Sequence, residues 1–237
     1  MARKRRDQGE PAKADSSRIN AAPEEKFPSA RFFTWSVALL MAYFGLRLLF
    51  FAGSAREHAY SKKLARLAQH IASANGVEAV YVDLRDYPMP IYDGDFEDRE
   101  GHPEKTREFT ALLGEYPGIF IVTPEYNSSL PPLLKNTLDW VTRVTEEGLN
   151  GPKIFRSRVF AIAGSSPGYY GGARCLLHLR QVLAVGMGAL VIPQQFSLPR
   201  ANEAFDADGH LKDKKQQEML KGVVEALAVA TRKFASA

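Results

Sequence analysis

Gly118-Ile119-Phe120-Ile121-Val122-Thr123-Pro124-Glu125-Tyr126-Asn127-Ser128-Ser129-Leu130-Pro131-Pro132-Leu133-Leu134-Lys135-Asn136-Thr137-Leu138-Asp139-Trp140 changes its hydrophobic period halfway along. Its first five residues are apolar without alternation, the pattern of a parallel strand covered on both faces. After the turn, Pro131 and Pro132 suit a first helical turn, where a missing N–H is harmless, and Leu133, Leu134, Leu138 and Val141 recur at helical spacing. Residues 124–130 are therefore a strand-to-helix loop at the carboxyl end of a strand, where an open α/β sheet binds its ligand.

The same alternation extends in both directions. Strands are expected at Leu46 to Ala52, Glu78 to Asp83, Gly118 to Thr123, Arg158 to Ala163 and Ala189 to Ile192. Helices are expected near Ser61 to Ala74, His102 to Glu115, Pro132 to Thr145, Ala173 to Val185 and Asp213 to Phe234. Five strands alternating with helices, with no long hairpin signal and no internal repeat, predict an α/β fold with a doubly wound five-stranded parallel sheet and helices on both faces.

Two further loops share the position of the first. Gly53-Ser54-Ala55-Arg56-Glu57-His58-Ala59-Tyr60-Ser61 joins the first strand to a helix, so backbone N–H groups and a helix's positive end face the crevice. Ser54 and Ser61 add hydroxyls, and Arg56 adds a charged fork suited to a phosphate monoester. The alternative is that both serines cap the helix and Arg56 is only solvated. Neither GxxxxGK[ST] nor GxGxxG is present in this loop. Gly164-Ser165-Ser166-Pro167-Gly168-Tyr169-Tyr170-Gly171-Gly172 follows the fourth strand, and its four glycines let the backbone pass close to a flat ligand.

Three motifs, each placed after an apolar strand, carry a resemblance. PEYN-S-S-LP-x-LLKN-x-LDW, Gly53-Ser54-Ala55-Arg56, and the run from Pro167 through Gly171-Gly172-Ala173-Arg174 to Leu179-Arg180-Gln181-Val182-Leu183, followed by Phe205-Asp206-Ala207-Asp208-Gly209, resemble the NAD(P)H-dependent FMN reductases. That flavodoxin-like family includes quinone and chromate reductases, and the likeness spans about residues 41–220. It implies strand order 2-1-3-4-5, with the ligand at the switch between strands one and three. It also implies FMN as cofactor, NADPH or NADH as co-substrate, and a small-molecule acceptor such as a quinone or free flavin, served by a ping-pong mechanism. No side chain is expected to be catalytic, because the flavin carries the chemistry.

The cofactor-binding residues implied are Ser54, Arg56, Tyr60 and Ser61 in the first loop and Pro124, Glu125, Tyr126 and Asn127 in the second, bordering the isoalloxazine and ribityl chain. Ser165, Ser166 and Gly168 form the far lip, and Tyr169 or Tyr170 lines the entrance. The chain departs from the family in the first loop. Where relatives resemble G-S-x-R-x-x-S-x-N, the later serine falls on Ala59 and the asparagine on Ser61. A homodimer or homotetramer, whose interface helps to build the flavin site, is the family's usual assembly.

Composition bounds the rest. With 237 residues, 45% of them hydrophobic, one sizeable core is expected. The single cysteine, Cys175, allows no intramolecular disulfide and no Cys-based metal site; it reads as a small buried thiol, and the chain as cytoplasmic. Most of the formal charge of +4 sits in residues 1–40, which hold eight basic and five acidic residues. The remainder shows no helix-turn-helix and no basic stripe interleaved with aromatics, so no nucleic-acid partner is expected.

Two segments follow: a poorly ordered N-terminal extension, 1–40, and an FMN-binding reductase domain, 41–237. Residues 1–30 are polar and aperiodic. Residues 1–40 read as an upstream extension of the reading frame, with a membrane- or partner-binding segment and a packed accessory helix as alternatives. Phe32 to Gly45 is uncharged but shorter than the about 20 apolar residues that span a bilayer, so any membrane association rests on residues 32–45. Two rival functions stay open: a flavodoxin-like electron carrier without NAD(P)H oxidation, against which the near-neutral core speaks, and a flavin-free binding module, raised by Ala59 and Ser61.

Overall fold

The computed structural model describes residues 45–235; the expectations for residues 1–40 and for 32–44 lie outside them. Five strands build the main sheet: β1 (Arg47–Ala52), β2 (Glu78–Asp83), β3 (Gly118–Pro124), β6 (Val159–Ser165) and β7 (Leu190–Leu198). All pair in parallel in the order β2-β1-β3-β6-β7, the 2-1-3-4-5 order counted over the main-sheet strands. Register brings the carboxyl ends into line, with Ala52 opposite Val122 and Asp83, Pro124 opposite Ser165, and Ser165 opposite Leu198. The loops that follow β1, β3 and β6 therefore meet at one edge.

Two apolar layers sandwich the sheet, and the strands divide their side chains between them by simple alternation. Leu48 and Phe50 of β1 join Phe120 and Val122 on the face covered by α1 (Tyr60–Ala74) and α7 (Lys214–Ala235). Leu49 and Phe51 join Ile119, Ile121, Phe160 and Ile162 beneath α3 (Glu104–Glu115), α4 (Pro132–Arg143) and α6 (Ala173–Arg180). The continuous apolar runs thus have the cause inferred for them, burial on both faces. On edge strand β2 most residues are only half-buried.

The structure corrects several boundaries. Helix α4 ends at Arg143, after which β4 (Thr145–Glu146) and β5 (Leu149–Asn150) form a two-stranded ribbon around Gly148, at φ +79°. Two short helices, α2 (Gly94–Glu100) and α5 (Gly151–Arg156), were not expected. Neither has enough turns to show a period. Both start on side-chain caps, Asp93 accepting from the Asp95 N–H at 2.9 Å and Asn150 from the Lys153 N–H at 2.8 Å. Strand β6 runs through Gly164 to Ser165, and β7 continues to Leu198 rather than ending at Ile192. A register shift opposite Phe160 and Ile162 absorbs Pro193 as a bulge on this edge strand. Past Arg180 the backbone widens into a π-helical turn, Gln181–Gly186, instead of a regular helix to Val185.

Candidate cofactor site

The first loop delivers an open helix start. Ala59 occupies the N-cap of α1 in extended geometry and provides no side-chain cap, and the first turn has no acidic residue. The positive end of the helix is left for an external anion. Ser54 is buried, its Oγ accepting from the Arg56 N–H at 3.3 Å, whereas the exposed Arg56 guanidinium has no partner among the described residues. Ser61 is 1% exposed, and among the described residues its Oγ has no hydrogen-bond partner.

Behind this turn Lys62, itself 1% exposed, reaches Asp83 Oδ2 at 2.6 Å and ties the start of α1 to the end of β2. Asp83 is partly solvated, so removing its buried partner costs less than breaking a fully buried pair. Lys62→Met is expected to lower unfolding free energy by about 1–3 kcal/mol, read by urea denaturation at neutral pH.

The second loop is a tight reversal. Asn127 and Ser128 both have positive φ, +48° and +66°, and Tyr126 and Ser129 exchange backbone hydrogen bonds of 3.1 and 2.9 Å. Two successive positive-φ residues inside such a bridge are the type I′ geometry, which Asn tolerates better than most residues. The turn holds Tyr126 half-exposed over the cleft and directs Asn127 into solvent. Glu125 turns inward: its carboxylate accepts from Arg174 Nε at 2.9 Å, from the Arg174 terminal nitrogen, and from the Cys175 N–H at 3.3 Å. A carboxylate therefore covers the positive end of α6, and Ser129 Oγ adds a 2.9 Å bond to His178 Nδ1.

The third loop is packed against backbone. A Cβ on Gly164 would lie 3.0 Å from the Gly172 carbonyl oxygen, and one on Gly171 only 2.5 Å from the Pro199 nitrogen. These glycines allow the chain to pass close to itself. Ser166 donates its N–H to Leu198 O at 3.2 Å and accepts at its carbonyl from the Ala201 N–H at 3.0 Å, while its Oγ accepts from the Gly168 N–H at 3.1 Å. Ser165, 2% exposed, has an Oγ without a partner among the described residues. Tyr169 and Tyr170 are exposed and meet edge to face at 5.8 Å.

These loops enclose a cleft of ≈ 90 Å³. Nine of the eleven expected residues line it: Ser54, Arg56, Tyr60 and Ser61 from the first loop, Pro124, Glu125 and Tyr126 from the second, Ser165 and Ser166 from the third. Asn127 and Gly168 lie outside its wall. Among the features the sequence did not reveal are the Lys62–Asp83 pair and the contact of Arg174 with Glu125, which join residues 21 and 49 positions apart. A pocket for a whole drug-sized ligand has roughly 300–1,000 Å³, so this cleft is smaller than one, and it opens at a rim beside the half-exposed Tyr126. Buried hydroxyls without partners are rare because each forfeits its hydrogen bond to water. Two of them line this cleft together with an uncapped helix start and the unpaired Arg56 guanidinium, a set of donors whose chemistry suits an anion.

Cys175 is buried, as expected. Its Sγ lies 3.0 Å from the Gly172 carbonyl, and burial, reinforced by the charge of Glu125, pushes the thiol up to about 12. An un-ionised, inaccessible thiol is a poor nucleophile. The folded protein is expected to be inert to a disulfide-exchange reagent at pH 8, with one thiol appearing in denaturant.

The family model described as NADPH-dependent FMN reductase matches residues 46–203. A quinone reductase of Escherichia coli strain K12 is 35% identical over 147 residues, covering 62% of this chain and 73% of that protein. A 2-hydroxy-1,4-benzoquinone reductase of Burkholderia is 30% identical over 189 residues, covering 79% and 97%. Among solved structures, the flavoenzyme NAD(P)H:(acceptor) oxidoreductase FerB of Paracoccus denitrificans superposes with a TM-score of 0.65 at 26% identity, covering 80% of this chain and 98% of that one.

Proposed function

The chain belongs to the NADPH-dependent FMN reductase family, and from that premise we propose that it is an NAD(P)H-dependent reductase that uses FMN to reduce quinones, free flavins or similar small acceptors by a ping-pong cycle. The carrying observation is that the unpartnered buried hydroxyls of Ser61 and Ser165 face one cleft at the uncapped start of α1. When bound, FMN supplies the ring that takes hydride from a reduced nicotinamide and passes electrons to the acceptor.

The residues do the holding. Ser61 Oγ, the first-turn N–H groups of α1 and the Arg56 fork bind the phosphate, and Ser165 Oγ donates toward the ribityl chain. Pro124 and Tyr126 give the ring an apolar wall. Glu125 acts on α6 rather than on the ring: with its carboxylate engaged by Arg174, it fixes the second loop against the third. Because the rim at Tyr126 is open, donor and acceptor take turns on the same face.

We also propose a homodimer or homotetramer, supported by the exposed apolar side chains of Tyr170 and Leu177, outside the cleft wall. Among the described residues no helix is long and apolar enough to cross a membrane, and we place the enzyme in the cytoplasm. The N-terminal division at residue 40, with 41–237 as the reductase domain, belongs to the same proposal.

Protein loaded with FMN, freed of excess by gel filtration and kept anaerobic, is expected to lose its visible flavin bands on adding NADPH or NADH and to regain them with a quinone. Bands that persist with both nucleotides would favour the electron carrier, and colourless protein after gel filtration would sink the flavin reading.

A further inference from the structure

A second cleft, of ≈ 440 Å³, opens on the far side of the third loop, between the segment after β7 and the start of α7. Tyr169, 78% exposed, stands in its wall, and Arg200 and Lys212 line it as well. The two clefts share a partition: Ser166 lines the first and accepts from the Ala201 N–H at 3.0 Å, and Gly168 O accepts from the Arg200 N–H at 3.3 Å. The third loop therefore stands between the two clefts.

The charges of the second cleft are unequally engaged. The Asp213 carboxylate accepts from the Lys215 and Gln216 N–H groups at 2.8 and 3.3 Å, capping α7, and Glu203 accepts from Asn202 Nδ2 at 3.3 Å. The side chains of Arg200 and Lys212 have no hydrogen bond or ion pair among the described residues. Arg200 is also held at φ +47°, its N–H on Gly168 O and its carbonyl accepting from the Glu203 N–H at 2.9 Å. A left-handed non-glycine residue carries strain that glycine would not. An arginine retained in that conformation, unpaired, beside an unpaired lysine and an exposed aromatic ring, has the makings of a site for a phosphorylated aromatic ligand.

We propose that this cleft receives the adenosine 2′-phosphate end of NADPH, with Tyr169 stacking on the base and Arg200 and Lys212 holding the phosphomonoester. The proposal rests on the reading of the chain as a nicotinamide-dependent reductase, and it adds a donor preference. Arg offers a planar fork and Lys a compact charge to a dianion, whereas NADH presents only a hydroxyl there.

Two experiments on the flavin-loaded full chain test it. Lys212→Ala and Arg200→Gly, the latter matching the backbone angle, are each expected to lower the NADPH:NADH ratio of kcat/KM about tenfold. In calorimetric titrations, 2′,5′-ADP is expected to bind the unaltered protein about tenfold or more tighter than 5′-AMP, a difference that either substitution erases. A ratio unmoved in both folded variants, or equal affinity for the two nucleotides, overturns the proposal. So does inorganic phosphate binding as tightly as 2′,5′-ADP, which would mark a plain anion site. If neither nicotinamide bleaches the flavin, the reductase reading fails instead, and the titrations on unaltered protein still decide whether the cleft recognises a 2′-phosphate.

Discussion

Replacing Arg56 and Ser61 together by alanine is expected to weaken FMN binding about 100-fold. A charge-assisted hydrogen bond to phosphate contributes about 1.5–3 kcal/mol and a neutral one about 1, and each 1.4 kcal/mol is a factor of ten. Riboflavin, which lacks the phosphate, is expected to bind the variant and the unaltered protein alike, both affinities being read by quenching of flavin fluorescence. The comparison separates a binding role from a structural one. Among the described residues Ser61 Oγ has no partner and the Arg56 side chain is exposed without one, so their loss removes no hydrogen bond there. Thermal unfolding of the flavin-free double variant is expected to stay within a few degrees of the unaltered protein. Equal FMN affinity in both proteins would remove the phosphate from this loop, and with it the proposed orientation of the cofactor.

The second large effect is on the lip of the site. Gly171→Ala is expected to lower unfolding free energy by about 3 kcal/mol and Tm by roughly 6–12 °C. Gly171 has φ +60°, and an added Cβ would stand 2.5 Å from the Pro199 nitrogen and 2.6 Å from the Leu198 carbonyl carbon. Both atoms are backbone, so no rotamer relieves the contact: either the end of β7 or the third loop must move. Since Ser166 is anchored on Leu198 O and the Ala201 N–H, such a movement displaces it, and FMN is expected to bind more weakly as well as to a less stable protein. Scanning calorimetry with and without FMN reads both. A Tm change below about 2 °C would mean that the loop yields freely and does not fix the lip.

Much of the fold was legible because one physical cause, burial on both faces of a parallel sheet, writes itself into consecutive residues. Leu48 to Phe51 and Ile119 to Val122 are apolar whichever way they point, and Leu134, Leu138 and Val141 mark the buried side of α4. The order of the strands came from the family resemblance carried by the three loops. What was missed had little or no period to show: α2 and α5 are seven and six residues long, and β7 hides its length behind the bulge at Pro193.

The candidate site divides along the same line. That Ser54, Arg56, Ser61, Tyr126, Ser165 and Ser166 line one cleft was legible in the sequence, since each lies in a loop or helix start that follows the carboxyl end of a parallel strand and the register of such strands brings those ends together. Which way each side chain is committed does not follow. Glu125 is spent on Arg174 and the start of α6, Asn127 is turned out by a type I′ bend, and Gly164, Gly171 and Gly172 of the third loop serve contacts between backbone and backbone. Sequence alone determined the sheet and the three loops of the site, because burial and turn chemistry are local. Only the tertiary structure decided which donors stay unpaired, because that depends on partners tens of residues away, as with Lys62 and Asp83 or Glu125 and Arg174.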